Sequence, residues 1–274
     1  MGDAFYELPE EATKRVIDEI YQIEYIEGIS VLFAVEAGSR AWGFASPDSD
    51  FDVRFVYKRP VYDYLRLDKR KDTIEWDAGD GYDMVGWDVS KYLTLLRKSN
   101  PSAMEWLQCP RYVVNYPSRL HSIERLASHY FSPKALASHY VGMAKENANE
   151  FLRISNGYVR DEPPMTKKYL YVVRALLSAR YVCEWREMPY IELGMLVDEY
   201  SDRLKAAGVY DDVDDLIRRK RVGLSSDVHE RLPKLDDWVM ENIVAMDVKV
   251  SRLERTPTPE WDNVNELFLN IVTS

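Results

Sequence analysis

Cysteine is almost absent from this sequence. Only Cys109 and Cys183 occur among 274 residues, too few for a disulfide scaffold or a cysteine zinc site, so two free thiols in a reducing compartment are expected. Histidine is nearly as scarce, and His121, His129, His139 and His229 all fall in the second half or close to its start. Their spacing suits neither metal ligation nor one helical face, which leaves a zinc site without support. Long apolar runs are missing as well. No segment approaches 18 apolar residues, and the opening MGDAFYELPE carries no basic, apolar leader. No membrane partner and a cytoplasmic location are therefore expected. Positive charge is in deficit: 46 acidic against 36 basic side chains give a net charge of -10. Binding to duplex DNA rests on neutralisation of phosphates by Lys and Arg, so long duplex DNA is not an expected partner. A local basic pocket or a metal-bridged nucleotide stays open. Neither a GxxxxGK phosphate loop nor an HxD metal cluster is present, which leaves little room for a kinase or phosphohydrolase.

What the chain does have is a 46% hydrophobic composition, enough to bury a core in one large domain or two smaller ones. Residues 10–26 carry Val16, Ile17, Ile20 and Ile23 near helical spacing and predict an amphipathic helix closed by Gly28. ISVLFAVEAG predicts a short buried strand, SRAWGFASP a short helix and turn, and FDVRFVY a second strand. Tyr64 to Trp76 reads as a strand pair or a strand and loop. DAGDG is a turn, and YDMVGW at 82–87 is a strand. The period then changes. Asp88 is placed to cap a helix with Val89, Tyr92, Leu93, Leu95 and Leu96 on its apolar face, and Asn100-Pro101 opens another. From about residue 118 every periodic segment is helical. A boundary near 110–120 follows, with an α/β domain over 1–116 and a helical domain over 117–274.

One stretch carries chemistry: EAGSRAWGFASPDSDFDVRFVY, residues 36–57. Asp50 and Asp52 share one face of a strand whose other face, Phe51 and Val53, points into a core. Their separation of about 7 Å or less would push up their pKa values unless a cation lies between them. Hard ions such as Mg²⁺ take carboxylate oxygens and are completed by substrate phosphates. Upstream, Gly38-Ser39 follows a buried strand, where exposed amides and the Ser39 hydroxyl could hold a phosphate. Each feature alone is weak. Their joint order, apolar strand, Gly-Ser, some ten residues, then Asp-Phe-Asp entering a strand, makes a phosphate-plus-metal site coherent.

The pattern formed by Gly38, Ser39, Gly43, Ser49, Asp50 and Asp52 resembles the signature of the DNA polymerase beta superfamily of nucleotidyltransferases. With DMVGWDVSKYLTLLRKSNPSAMEWL and KKYLYVVRALLSARY, it is similar to the YcgL/RlaP type, polymerase-beta-like proteins of RNA repair pathways. The resemblance runs from about residue 28 to residue 200 and is poor over the last third. It implies an α+β fold: a polymerase-beta-like nucleotidyltransferase core with a small mixed β-sheet, followed by an all-helical domain that closes the active-site cleft. It also implies three carboxylates, two being Asp50 and Asp52. The third is Asp83 or Asp88, with Asp83 preferred because Asp88 serves as a helix cap. The implied cofactor is Mg²⁺ or Mn²⁺ and the substrate a nucleoside triphosphate, ATP among them.

Supporting cations follow from the same comparison. Arg40 lies next to Gly-Ser and within reach of triphosphate oxygens, with a salt bridge as its plain alternative. Lys91, one turn beyond the third strand, is favoured for the site by the family pattern. Lys167 and Lys168 open an apolar helix where the helix dipole disfavours cations, which suits an anionic partner, and Arg174 could join them. Lys98, Ser99 and Asn100 read as a capping element. The run DDVDDLIRRKR reads as a solvated helix face ordered to suit the dipole. The implied reaction moves a nucleoside monophosphate from the triphosphate to a hydroxyl and releases pyrophosphate. The acceptor is an RNA 3′ end, a protein hydroxyl or a small molecule, and Arg66, Lys69, Arg70 and Lys71 could offer RNA a basic surface. A non-catalytic nucleotide-binding module is the rival reading.

Overall fold

The opening helix, α1 (Glu10–Glu27), buries Ala12, Val16, Ile20 and Ile23 along one stripe and ends where Gly28 turns left-handed at φ 63°. In the structure, a computed structural model describing residues 8–155, 158–160, 164–224, 230–257 and 259–274, that stripe covers one face of a mixed sheet. The sheet comprises β1 (Ser30–Glu36), β2 (Phe51–Lys58), β3 (Thr73–Asp77), β4 (Tyr82–Asp88) and β5 (Arg111–Val114). Their order is β3-β4-β2-β1-β5. β2 and β4 run parallel, and the other pairings are antiparallel. Val31, Ala34, Val53, Phe55, Tyr57, Ile74, Met84 and Tyr112 complete the core under α1. Gly86 in β4 is required there, because a Cβ would stand 2.1 Å from the Phe55 ring.

Short helices α2 (Gly38–Ala41) and α3 (Val61–Tyr64) lie in the connections. α4 (Val89–Arg97), α5 (Pro101–Glu105) and α6 (Pro117–Tyr130) follow the strands. Tyr92 of α4 meets Phe33 edge-on and stacks with Trp106. The 64–76 stretch takes the strand-and-loop form: Thr73–Asp77 is a strand, with Val61–Tyr64 helical before it. β5 is not apparent in the sequence: it is a four-residue edge strand between Pro110 and Pro117 that buries only Tyr112 completely, too short to show a period.

Among the described residues the chain forms two units. The first contains Met1–Ala41, Ser49–Phe131 and Pro257–Ser274, and the second Trp42–Asp48 and Ser132–Thr256. The second is built from α7 (Pro133–Asn147), a two-residue hairpin of β6 (Ile154–Ser155) and β7 (Tyr158–Val159), α8 (Tyr169–Trp185), α9 (Leu193–Glu199), α10 (Ser201–Ala206), α11 (Tyr210–Arg221) and α12 (Pro233–Ser251). The last helix, α13 (Asp262–Val272), belongs to the first unit. α8 is buried on nearly every side, as its all-round apolar sequence demands. Lys167 and Lys168 form the 3₁₀ turn that leads into it, with Lys168 at its N-cap position. The loop Trp42–Asp48 is fastened within this unit. Leu193 donates its N–H to the Trp42 carbonyl (3.0 Å) and the Arg221 guanidinium donates to the Gly43 carbonyl (2.7 and 2.9 Å). Phe44 is fully buried beside Tyr171. His229 lies outside the described residues. No described helix is long and apolar enough to cross a membrane.

Candidate active site

The acidic strand meets its neighbour in register. β2 and β4 are parallel with Asp52 opposite Asp83, so their Cα atoms stand one interstrand spacing apart, about 4.8 Å. Asp50 lies exposed two residues before Asp52, just ahead of β2, and the Phe51 N–H fixes the entry by donating to the Gly81 carbonyl (2.7 Å). The Gly38 turn closes onto Asp52. Gly38 has φ 60°, and a Cβ there would lie 1.8 Å from Asp52 Oδ2. No side chain fits at that position. Ala37 donates its N–H to the Asp52 carbonyl (2.8 Å), tying the Gly-Ser turn to the acidic strand.

Asp88 is placed differently. Its carboxylate accepts from the Ser90 N–H (2.8 Å) as the cap of α4 and from the Tyr64 hydroxyl (2.9 Å). It stands at the far end of β4 from Asp83.

Two residues without a motif of their own complete the arrangement. Arg54 lies two residues beyond Asp52. Its Nη2 donates to Asp52 Oδ1 (3.0 Å) and Asp83 Oδ2 (2.9 Å), and its Nη1 donates to the Val53 and Asp83 carbonyls (both 3.0 Å). Glu36, the last residue of β1, is fully buried. Its Oε1 accepts from the Asp52 N–H (3.1 Å) and its Oε2 from the Tyr112 hydroxyl. Burial pushes the Glu36 carboxyl up to about 7 against the pull of those two hydrogen bonds, and Asp52 adds a smaller upward push. Asp52 is also raised, first by burial and then by Asp83 and Asp50, with Arg54 opposing. Among the described residues no three Asp, Glu, His or Cys side chains gather as a ready metal cage. Asp52 and Asp83 are held by a guanidinium.

Against this geometry the relatives can be placed. Residues 12–270 match the RNA repair pathway DNA polymerase beta family, RlaP. The chain belongs to that family. It is also similar to the uncharacterized protein YcgL of Bacillus subtilis (strain 168), with 31% identity over 261 residues, 94% of this chain and 96% of the relative. RlaP membership reaches through the last third, where the motif resemblance fades, and so takes in both units. The small mixed sheet and abundant helices are the polymerase-beta-like architecture that the family implies, and the general role that comes with it is nucleotidyl transfer.

The remaining candidates of the RlaP-type reading are dispersed. Ser39 is buried in α2. Arg40 is buried too, donating to the Ser49 (2.5 Å) and Asp50 (3.2 Å) carbonyls with its guanidinium over the Phe51 ring. It braces the loop that delivers Asp50. Lys91 bonds Asp72 and Thr73, near the end of β4 that carries Asp88. Lys167 and Lys168 belong to the second unit, where the Lys168 ammonium sits over the Phe151 and Tyr171 rings. Arg174, in the same unit, bonds the Ile191 carbonyl and lies over Trp42. Ser99 bonds the Tyr130 carbonyl and Asn100 caps α5. Of the basic loop, Arg66 pairs with Asp68 and Asp63, and Arg70 with Asp63.

A parity argument could have found Arg54, which shares the strand face of Asp50 and Asp52. Glu36 gave no comparable signal, since its partner Tyr112 is 76 residues away.

Proposed function

We propose that this chain transfers a nucleoside monophosphate from a nucleoside triphosphate to a hydroxyl acceptor, releasing pyrophosphate, with Asp50, Asp52 and Asp83 as the acidic centre and an RNA 3′ end as acceptor. The observation that carries this reading is the parallel register of Asp52 with Asp83, with Asp50 two residues upstream. The donor set fits a hard divalent ion. It consists of carboxylate oxygens on two adjacent strands beside a turn kept open by Gly38, the oxygen-only chemistry that suits Mg²⁺ and Mn²⁺. When bound, such ions offset charge on the attacking and leaving oxygens of an in-line displacement.

The chain's own residues would do the rest. The Gly38-Ser39 turn would hold the β- and γ-phosphates, an arrangement that orients the α-phosphorus toward the acidic row. The acceptor oxygen bonds to that phosphorus, the bond to the β-phosphate oxygen breaks, and a carboxylate of the row takes the hydroxyl proton. Glu36 and Tyr112 fix Asp52 from behind through its backbone N–H.

The test is a transfer assay with each α-³²P-labelled triphosphate, Mg²⁺ or Mn²⁺, and pooled RNA. Label is expected on RNA with the wild type, and D52N is expected to lose it. Equal labelling by D52N would overturn the assignment of the acidic centre. Triphosphate binding without transfer to any acceptor would turn the reading into one of a nucleotide-binding module.

A further inference from the structure

The centre carries its own cation. Arg54 places one nitrogen, Nη2, between Asp52 Oδ1 and Asp83 Oδ2, the two carboxylates that face each other across the parallel strands. Its side chain is 20% exposed, against 30% for Asp52 and 58% for Asp83. A strut needed only for the sheet would be satisfied by backbone carbonyls, and Nη1 already has two of these. The fork instead reaches on to both acids. Two carboxylates one strand spacing apart repel each other, and a positive charge between them relieves that repulsion. A guanidinium does so with one charge and a fixed geometry. A divalent ion bridging Asp52 Oδ1 and Asp83 Oδ2 would take the space between them that Nη2 occupies, so the two cations compete for that position.

We propose that Arg54 is a resident counter-ion which a divalent cation must displace from Asp52 and Asp83, so that these two ion pairs set the metal concentration at which the centre loads. This rests on the proposed function only in taking Asp52 and Asp83 as metal ligands. It assigns Arg54 the role of a positioning residue that acts through them. In the metal-free protein the arginine keeps both carboxylates aligned. On loading, the Nη2 contacts are lost, while the Nη1 bonds to the Val53 and Asp83 carbonyls can hold the side chain at the strand edge.

The experiment is Mn²⁺ binding to the full chain without nucleotide, read from the free-ion electron paramagnetic resonance signal, for the wild type, R54Q, R54K, D52N and the D52N/R54Q pair. R54Q is expected to bind Mn²⁺ about two- to fivefold more tightly, the scale of a partly exposed ion pair. R54K keeps the charge but loses the fork, so a smaller shift in the same direction is expected, and it decides the matter if R54Q does not melt cooperatively. Adding D52N should abolish the gain. Equal or weaker binding by R54Q and R54K, with normal binding by the wild type, overturns the proposal and makes Arg54 an orienting strut. Wild-type binding by D52N overturns the metal assignment itself, whatever the arginine variants do. Failure of every variant to bind Mn²⁺ overturns both.

Discussion

Glu36 in the first unit and Asp236 in the second are both buried against a tyrosine hydroxyl, and the two are treated differently. In the second unit Asp236, in the first turn of α12, accepts from the Tyr169 hydroxyl (2.5 Å) and pairs with Arg231 (3.2 Å). In the first unit Glu36 accepts from the Tyr112 hydroxyl and from a backbone N–H, and Arg40 gives it the smallest of its electrostatic influences. Both carboxyls are pushed up by burial. Asp236 comes with a paired cation and a helix N-terminus, the usual means of keeping a buried carboxylate charged. Glu36 sits at the end of a strand, with hydrogen-bond donors in place of an ion pair, and is raised to about 7. Asp236 has a cation beside it, whereas the carboxyl behind Asp52 has hydrogen-bond donors alone within contact among the described residues. The cation closest to the acidic centre, Arg54, is spent on Asp52 and Asp83.

The largest difference between the units should appear at two left-handed glycines. Gly38 has φ 60° and a Cβ there would meet Asp52 at once, whereas Gly208 has φ 69° and a Cβ there would meet nothing within 4 Å. G38A must move the acidic strand or the turn and should lose at least about a hundredfold of nucleotidyl transfer, the usual cost of a misplaced reacting group. G208A should cost about 1 kcal/mol of stability for the left-handed backbone and leave transfer unchanged. Comparable transfer by the two variants would mean that the close approach of Gly38 to Asp52 has no functional consequence.

How far this was legible in the sequence depends on the range of the forces. α1 could be read because Val16, Ile20 and Ile23 recur at helical spacing within one element. The Asp50–Asp52 pair and the Gly38 turn were legible for the same reason, being local. Which acid faces Asp52 depends on the register between β2 and β4, which tertiary pairing sets; Asp83 and Asp88, five positions apart on β4, necessarily point to opposite faces. β5 was hidden because four residues between prolines carry no period. Glu36 was hidden because its meaning lies in Tyr112, on that same unreadable strand.

The next difference is in pH dependence. Between pH about 4.5 and about 7 the folded chain holds a proton on Glu36 that the unfolded chain has released. Unfolding therefore releases a proton, and stability falls as pH rises through that window. A shift from 4.5 to about 7 corresponds to about 3 kcal/mol for this fully buried group. Urea melts in EDTA should show the wild type losing stability across the window and E36Q losing less. Equal slopes would show that Glu36 is ionised in the fold throughout, and would remove its contrast with Asp236.

The smallest effect separates the two tyrosines. Y112F and Y169F each delete one hydroxyl bonded to a buried carboxylate, and each should cost about 1–3 kcal/mol of stability, the range for a buried acceptor left unsatisfied. Their consequences for transfer should differ. The Tyr112 hydroxyl reaches Glu36, whose other oxygen receives the Asp52 N–H, so its loss frees a carboxylate directly behind the acidic centre. A fewfold fall in kcat at saturating triphosphate, with KM little changed, is expected for Y112F. Tyr169 and Asp236 join α8 to α12 within the second unit, so Y169F should melt earlier and turn over at the wild-type rate when assayed well below its melting temperature. If Y169F instead lost kcat as Y112F does, the two buried pairs would not differ in function, and the contrast drawn from their partners would hold for stability alone.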